Sequence, residues 1–230
     1  LNIEADEAES IFLCSYKEIK KIHGVYKNAL SANIKTKNYK IQNTVNIAHA
    51  YEAITSYLGF APMEGGKTMG LSSYGKENKA IPNFLIKDKF DKNIFSFNSY
   101  IPNFQHPILD PFLLEEFLPE DLAWKIQNDT QQLVGDYIEK AIKETGLKQV
   151  CCAGGYFLNC VANYYLTKRF PDIEFYFEPM SYDGGISLGA ALYRWYQLNP
   201  NSNPYKQITL YQGPKYSKKE LLEGIKKYVG

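Results

Sequence analysis

The clearest periodicity in the chain lies over residues 121–145, DLAWKIQNDTQQLVGDYIEKAIKET. Leu122, Ile126, Leu133, Tyr137, Ile138 and Ile142 fall there on one stripe of a helix. Gly146 follows at a natural helix stop. Beyond it the pattern shortens. KQVCCAGG predicts a short buried strand that breaks at Gly154-Gly155. YFLNCVANYYLTKRF predicts a second helix ended by Pro171, IEFYFEP the next strand, and DGGISLGAALYRWYQ a third helix opened by Asp183. Helices alternating with short strands imply parallel strands with helices packed over them.

The front of the chain reads differently. SIFLCSYKE and KKIHGVYKN predict a β-meander around the Lys-rich turn KEIKK within residues 1–44. Residues 45–60, VNIAHAYEAITSYLGF, predict a helix with Ile47, Tyr51, Ile54 and Leu58 toward the core. APMEGGKTMGLSSYGKENKA then reads as a glycine-rich loop carrying Lys67. Residues 81–120 are rich in proline and aromatics and predict an irregular insertion with one short helix near 111–117. A polar linker spans 199–207, followed by a strand, a turn and a terminal helix.

Composition narrows the class of protein. Of 230 residues 45% are hydrophobic and 22% charged, a globular balance, and the net charge of +1 argues against a broad nucleic-acid surface. No apolar run is long enough to span a bilayer. The expectation is a cytoplasmic protein without nucleic-acid or membrane partners. Cys14, Cys151, Cys152 and Cys160 contain no C-x-x-C pair, and His23, His49 and His106 show no helical pairing, so zinc spacing is absent. The cysteines are expected to be buried, reduced and free of metal.

Candidate chemistry gathers at the strand ends. In a parallel sheet, ligands collect beyond the carboxyl ends of the strands. Gly154-Gly155 and Ser181-Tyr182-Asp183-Gly184 occupy two such ends. A glycine pair permits close backbone approach, and the following helix N-terminus favours an anion, so phosphate or a nucleoside edge suits the place. The same pair is also a common tight turn, and Asp183 is also a common helix cap. Lys67 lies in a loop whose spacing is not that of a Walker A motif, and that loop either borders an anion site or is a plain connection.

The chain resembles the O-carbamoyltransferases, the nodulation and antibiotic-tailoring enzymes. GGKTMGLSSYGK resembles their K-x-M-G-L-A-P-Y-G signature, and VCCAGGYFLNCVAN resembles their LCLAGGVALNCVAN. DLAWKIQNDTQQ, EPMSYDGGISLGAAL and LYQGPKYSKKEL resemble three further motifs, in the family's order, between about residues 45 and 220. Ser72 and Ser73 replace the usual Ala-Pro, and Tyr156 replaces a small residue. These departures touch the expected site wall.

The resemblance implies an α/β fold of the actin-like (ASKHA, RNase H-like) class, with a mixed sheet flanked by helices. It implies that residues 1–198 form the second lobe of that domain, and that 199–230 lead to a synthase-like domain elsewhere in the full-length chain. That second domain would make carbamoyl-adenylate from carbamoyl phosphate and ATP, and the actin-like domain would pass the carbamoyl group to a hydroxyl of a small-molecule acceptor such as a sugar. Gly154, Gly155 and Asn159 match the segment that holds the adenylate, and Lys67 borders the cleft. Asp183 matches the late aspartate of a divalent metal site, Fe(II) first, then Mg, Mn or Zn. The family's H-x-x-x-H helix has no counterpart here, so this segment alone is expected to be inactive. The rival readings are an inactive nucleotide-binding module, a sugar kinase of the same fold class, and a tRNA threonylcarbamoyl transferase.

Overall fold

The structure, a computed structural model, describes residues 6–15, 18–27, 34–35, 39–42, 47–81, 84–87, 97–99, 116–203 and 213–228. Two compact units divide the chain, residues 1–189 and 190–230.

The first unit opens with strands β1 (Asp6–Cys14) and β2 (Ile19–Lys27), paired antiparallel as the sequence predicts, with register shifts between Glu7 and Glu9 and between Ile11 and Phe12. A simple meander does not follow. The short strands β3 (Ile34–Lys35) and β4 (Tyr39–Gln42) give the order β1-β2-β4-β3, and β4 runs parallel to β2. A two-residue β3 contributes too little pairing of its own to announce itself as a separate strand.

Helix α1 (Ile47–Tyr57) buries Ile47, Ala50, Tyr51 and Ile54, on the face its sequence marks. The stretch read as a glycine-rich loop is instead helical: α2 (Gly65–Leu71) runs into a 3₁₀ turn at Ser72–Tyr74. Its glycines are poor helix formers, and tertiary contact overrides them. Thr68 is fully buried and its hydroxyl donates to Thr55 Oγ1 of α1 at 2.8 Å, while the Thr55 hydroxyl donates to the Tyr51 carbonyl. Of the 81–120 insertion, the described part holds β5 (Leu85–Lys87) and β6 (Phe97–Ser99), an antiparallel pair. Residues 111–115 of the short helix expected there lie outside the described residues; Glu116 and Phe117 form a turn and a bend.

Helix α3 (Pro119–Thr145) begins two residues before the sequence expectation, because Pro119 occupies the first turn, where its missing N–H costs nothing. Leu122, Ile126, Leu133, Tyr137 and Ile138 are buried, Ile142 packs against the same core, and Gly146 ends the helix in the left-handed region at φ 69°. Strands β7 (Gln149–Cys152) and β8 (Glu174–Phe177) pair in parallel, joined by a 3₁₀ turn at Gly155–Leu158 and helix α4 (Cys160–Arg169). On β8 the alternation is plain. Phe175 and Phe177 turn to the core, their rings stacked at 5.4 Å, while Tyr176 is exposed. Helix α5 (Gly184–Leu198) follows the Asp183 turn.

In the second unit the chain closes with helix α6 (Lys218–Tyr228), capped by a reciprocal Ser217–Glu220 pair. The strand expected before it lies outside the described residues.

Among the described residues no helix is long and apolar enough to cross a membrane.

Candidate nucleotide site and the family it belongs to

The turn after β7 is fixed by glycine chemistry. Gly154 has φ 105° and ψ 152°, a conformation that residues with a Cβ essentially do not adopt. Gly155 has no positive φ, yet a Cβ built there meets no atom within 4 Å. Both glycines are exposed. Their backbone therefore presents an uncovered surface at the carboxyl end of a parallel strand, where an anionic or planar ligand can approach without a side chain in its path.

Asn159 closes the turn. Its Oδ1 accepts the Ala162 N–H at 2.9 Å, which caps α4. Its Nδ2 donates to Gln127 Oε1 at 2.8 Å, and Gln127 Nε2 returns a longer bond of 3.3 Å to Asn159 Oδ1. The Tyr51 hydroxyl donates to the same Gln127 Oε1 at 2.8 Å. Burial pushes the Tyr51 hydroxyl above its ordinary range, against the pull of Asn159, so it stays protonated as a donor. The sequence marked Asn159 but assigned no such role to Tyr51, which appears only as a core-facing position, or to Gln127, which appears only within the DLAWKIQNDTQQ motif.

Lys67 stands on α2, exposed, with its ammonium paired to Glu64 and lying 5.6 Å from the Phe60 ring centroid. Lys67 and the Ala61 N–H together hold the Glu64 carboxyl below its ordinary value. Met69, two residues on, meets Cys160 at 3.9 Å between sulfurs, so α2 does abut the start of α4. Two residues turn a helix by about 200°, so Lys67 sits on the side of α2 away from that contact.

Asp183 is exposed in the turn before α5, and its carbonyl accepts the Ile186 N–H at 3.2 Å. Among the described residues no group of three His, Cys, Asp or Glu side chains converges to hold a metal ion. A single exposed aspartate does not fit a divalent site by itself.

The cysteine expectation needs correction. All four thiols are free, but only Cys152 is buried; Cys14, Cys151 and Cys160 are exposed. For Cys151 the reason is the period of a strand, since neighbouring positions of β7 face opposite ways and Cys152 takes the core side; Cys14 and Cys160 lie at the end of β1 and the start of α4. Burial, with a smaller effect of the adjoining Cys151, pushes the Cys152 thiol up to about 12, so it is chemically inert. The Cys14 thiol at the end of β1 is also raised, by burial and then by Cys151.

A β–α–β unit with an open glycine turn, packed beneath a long amphipathic helix, defines a mixed α/β protein. The chain belongs to the carbamoyltransferase N-terminus family, which matches residues 19–192. It is similar to the uncharacterized protein MJ1058 of Methanocaldococcus jannaschii, 29% identical over 188 residues, covering 79% of this chain and 31% of that protein. It is similar to the uncharacterized protein sll1178 of Synechocystis, 29% identical over 207 residues, covering 81% of this chain and 34% of that one. Nodulation protein NolNO of Sinorhizobium fredii is 25% identical over 175 residues, 71% of this chain and 25% of its own. The chain thus matches a quarter to a third of the length of these relatives.

Proposed function

We propose that this chain is the second lobe of the actin-like domain of an O-carbamoyltransferase and that it holds the adenylate of carbamoyl-adenylate on the Gly154-Gly155 turn. Membership of the carbamoyltransferase N-terminus family carries the reading, and the similarity to a nodulation protein agrees with it. The actin-like assignment draws support from the antiparallel β1–β2 pair and the parallel β7–β8 pair joined by α4.

In this reading the backbone of Gly154 and Gly155 receives the adenylate, and Asn159 fixes the turn. Bound there, the carbamoyl-adenylate offers an activated carbonyl to the acceptor hydroxyl. The new bond joins the acceptor oxygen to the carbamoyl carbon, AMP departs, and the hydroxyl proton is released. Lys67, on the exposed face of α2, is assigned to the border of the cleft, where its charge attracts the phosphates from a distance. Asp183 is assigned as the one metal ligand this segment contributes. Among the described residues no cluster of further ligands completes a metal site around it. Carbamoyl phosphate, ATP and the synthase-like domain belong to the full-length protein, and so does activity.

The test uses the full-length protein and a non-hydrolysable ATP analogue. Gly155→Val places a side chain in the open space over the turn without demanding a forbidden backbone angle. It should weaken one of the bound nucleotide equivalents at least tenfold, with the melting temperature almost unmoved. Unchanged nucleotide stoichiometry and affinity would remove the adenylate from this turn.

A further inference from the structure

We infer that Gln127 and Tyr51 are positioning residues for the Gly154–Asn159 turn, acting through the Asn159 side chain. This rests on the adenylate reading above for its functional consequence, and on the hydrogen-bond geometry alone for its structural one.

The hydrogen-bonding capacity of Asn159 is nearly used up within the protein. Its carbonyl oxygen takes the Ala162 N–H and a bond from Gln127 Nε2, and its amide donates to Gln127 Oε1. One N–H remains, so Asn159 has little left with which to grip a ligand. Its role is to pin the point where the 3₁₀ turn becomes α4, and hence the direction in which the Gly154-Gly155 backbone faces.

Gln127 is the pivot of that pin. It is 4% exposed, it forms a two-way amide pair with Asn159, and its other donor reaches Gln131 Oε1 at 3.2 Å. Tyr51, 7% exposed, supplies the second donor to Gln127 Oε1 from α1, which fixes which way the Gln127 amide points. Three helices, α1, α3 and α4, thus agree on one amide orientation. A buried polar network of this kind specifies a single geometry only while every member is satisfied.

The experiment compares Gln127→Met, Tyr51→Phe and Leu133→Ala in the full-length protein. Gln127→Met conserves volume and removes the amide. Tyr51→Phe removes one hydroxyl and keeps the ring. Leu133→Ala damages the core on α3 away from the network and serves as a control for general loss of stability. Two readouts are taken: amide hydrogen exchange over residues 153–163, and affinity for the ATP-analogue equivalent that Gly155→Val weakens. Gln127→Met should speed exchange across 153–163 at least tenfold and weaken that equivalent about tenfold. Tyr51→Phe should do the same more mildly, and Leu133→Ala should do neither beyond its effect on global exchange.

If Gln127→Met and Leu133→Ala give the same local exchange and the same affinity, Gln127 is merely a core residue and the inference is overturned. If exchange rises but the affinity of the Gly155-dependent equivalent stays at the parent value, the pin exists and its role in ligand positioning is overturned. If Gly155→Val weakens no nucleotide, the adenylate reading has failed, and the exchange experiment alone decides whether Gln127 fixes the turn.

Discussion

Replacing Gly75 by alanine is expected to destabilise the protein by about 3 kcal/mol or more, near or above the usual range for overpacking a core. Gly75 has φ −86°, so its backbone suits any residue and strain is not the cause. The cause is contact. A Cβ at Gly75 would stand 1.9 Å from the Glu120 carbonyl oxygen and 2.8 Å from Trp124 Cβ, in the first turns of α3. The obstacle at 1.9 Å is main chain and cannot swing aside as a side-chain tip can. The next residue is held as firmly: the Lys76 N–H donates to Asp121 Oδ1 at 3.0 Å, and Asp121 is only 3% exposed. Urea unfolding midpoints at constant slope would measure the effect. Gly66→Ala, in the same signature but facing open space, serves as the comparison. It should fall within about 1 kcal/mol of the parent, on the stabilising side. A loss below about 1 kcal/mol for Gly75→Ala would show that this loop does not abut α3.

The second large effect concerns pH. Glu9 of β1 accepts the Ile47 N–H at the start of α1, and its other carboxylate oxygen is enclosed without a hydrogen-bond partner. Burial outweighs the Ile47 bond and raises its pKa from 4.5 to about 7. The folded protein therefore holds the Glu9 proton more tightly than the unfolded chain does. Below about pH 4.5 both states are protonated and Glu9 imposes no penalty. As pH rises from about 4.5 to 7 the folded state loses ground, and above 7 the full penalty persists. Its ceiling is about 3 kcal/mol, and because Glu9 as a residue is only half-buried, about 1–3 kcal/mol is expected. Glu9→Gln should thus raise stability at pH 8 by that amount and change it little at pH 4.5. Taking the difference between the two proteins isolates Glu9, since every other group is common to both. Parallel stability profiles from pH 4.5 to 8 would show that the Glu9 carboxylate is not desolvated.

What the sequence made legible was local. The stripe on α3, its stop at Gly146 and the core face of α1 follow from spacing within a single helix, and the parallel β7–β8 pair follows from the strand–helix–strand order. What it concealed depends on distant partners. Residues 65–71 read as loop because the glycines weigh against helix, while the stabilising Thr68–Thr55 contact spans 13 positions. The exposure of Cys14, Cys151 and Cys160 depends on what packs over their outer faces, which no local pattern encodes. The family signature was legible as chemistry, yet in the fold Gly75 serves as a docking point for α3. Asn159 also has a structural part that no local pattern shows: its side chain bonds to Gln127, 32 positions earlier, and caps its own helix.

Arg169 ends α4, and its guanidinium reaches Asp136 at 2.7 Å, Glu139 at 2.9 Å and the Gln132 carbonyl at 3.1 Å, all on α3. Gly135 leaves room for it, since a Cβ there would lie 2.4 Å from Arg169 Nη1. With Asn159 fastened to Gln127 at the other end, α4 behaves as a strut bolted to one beam at both ends. It cannot roll about its own axis or slide lengthwise without breaking one of its two fixings. These two fixings couple the glycine turn mechanically to the long helix.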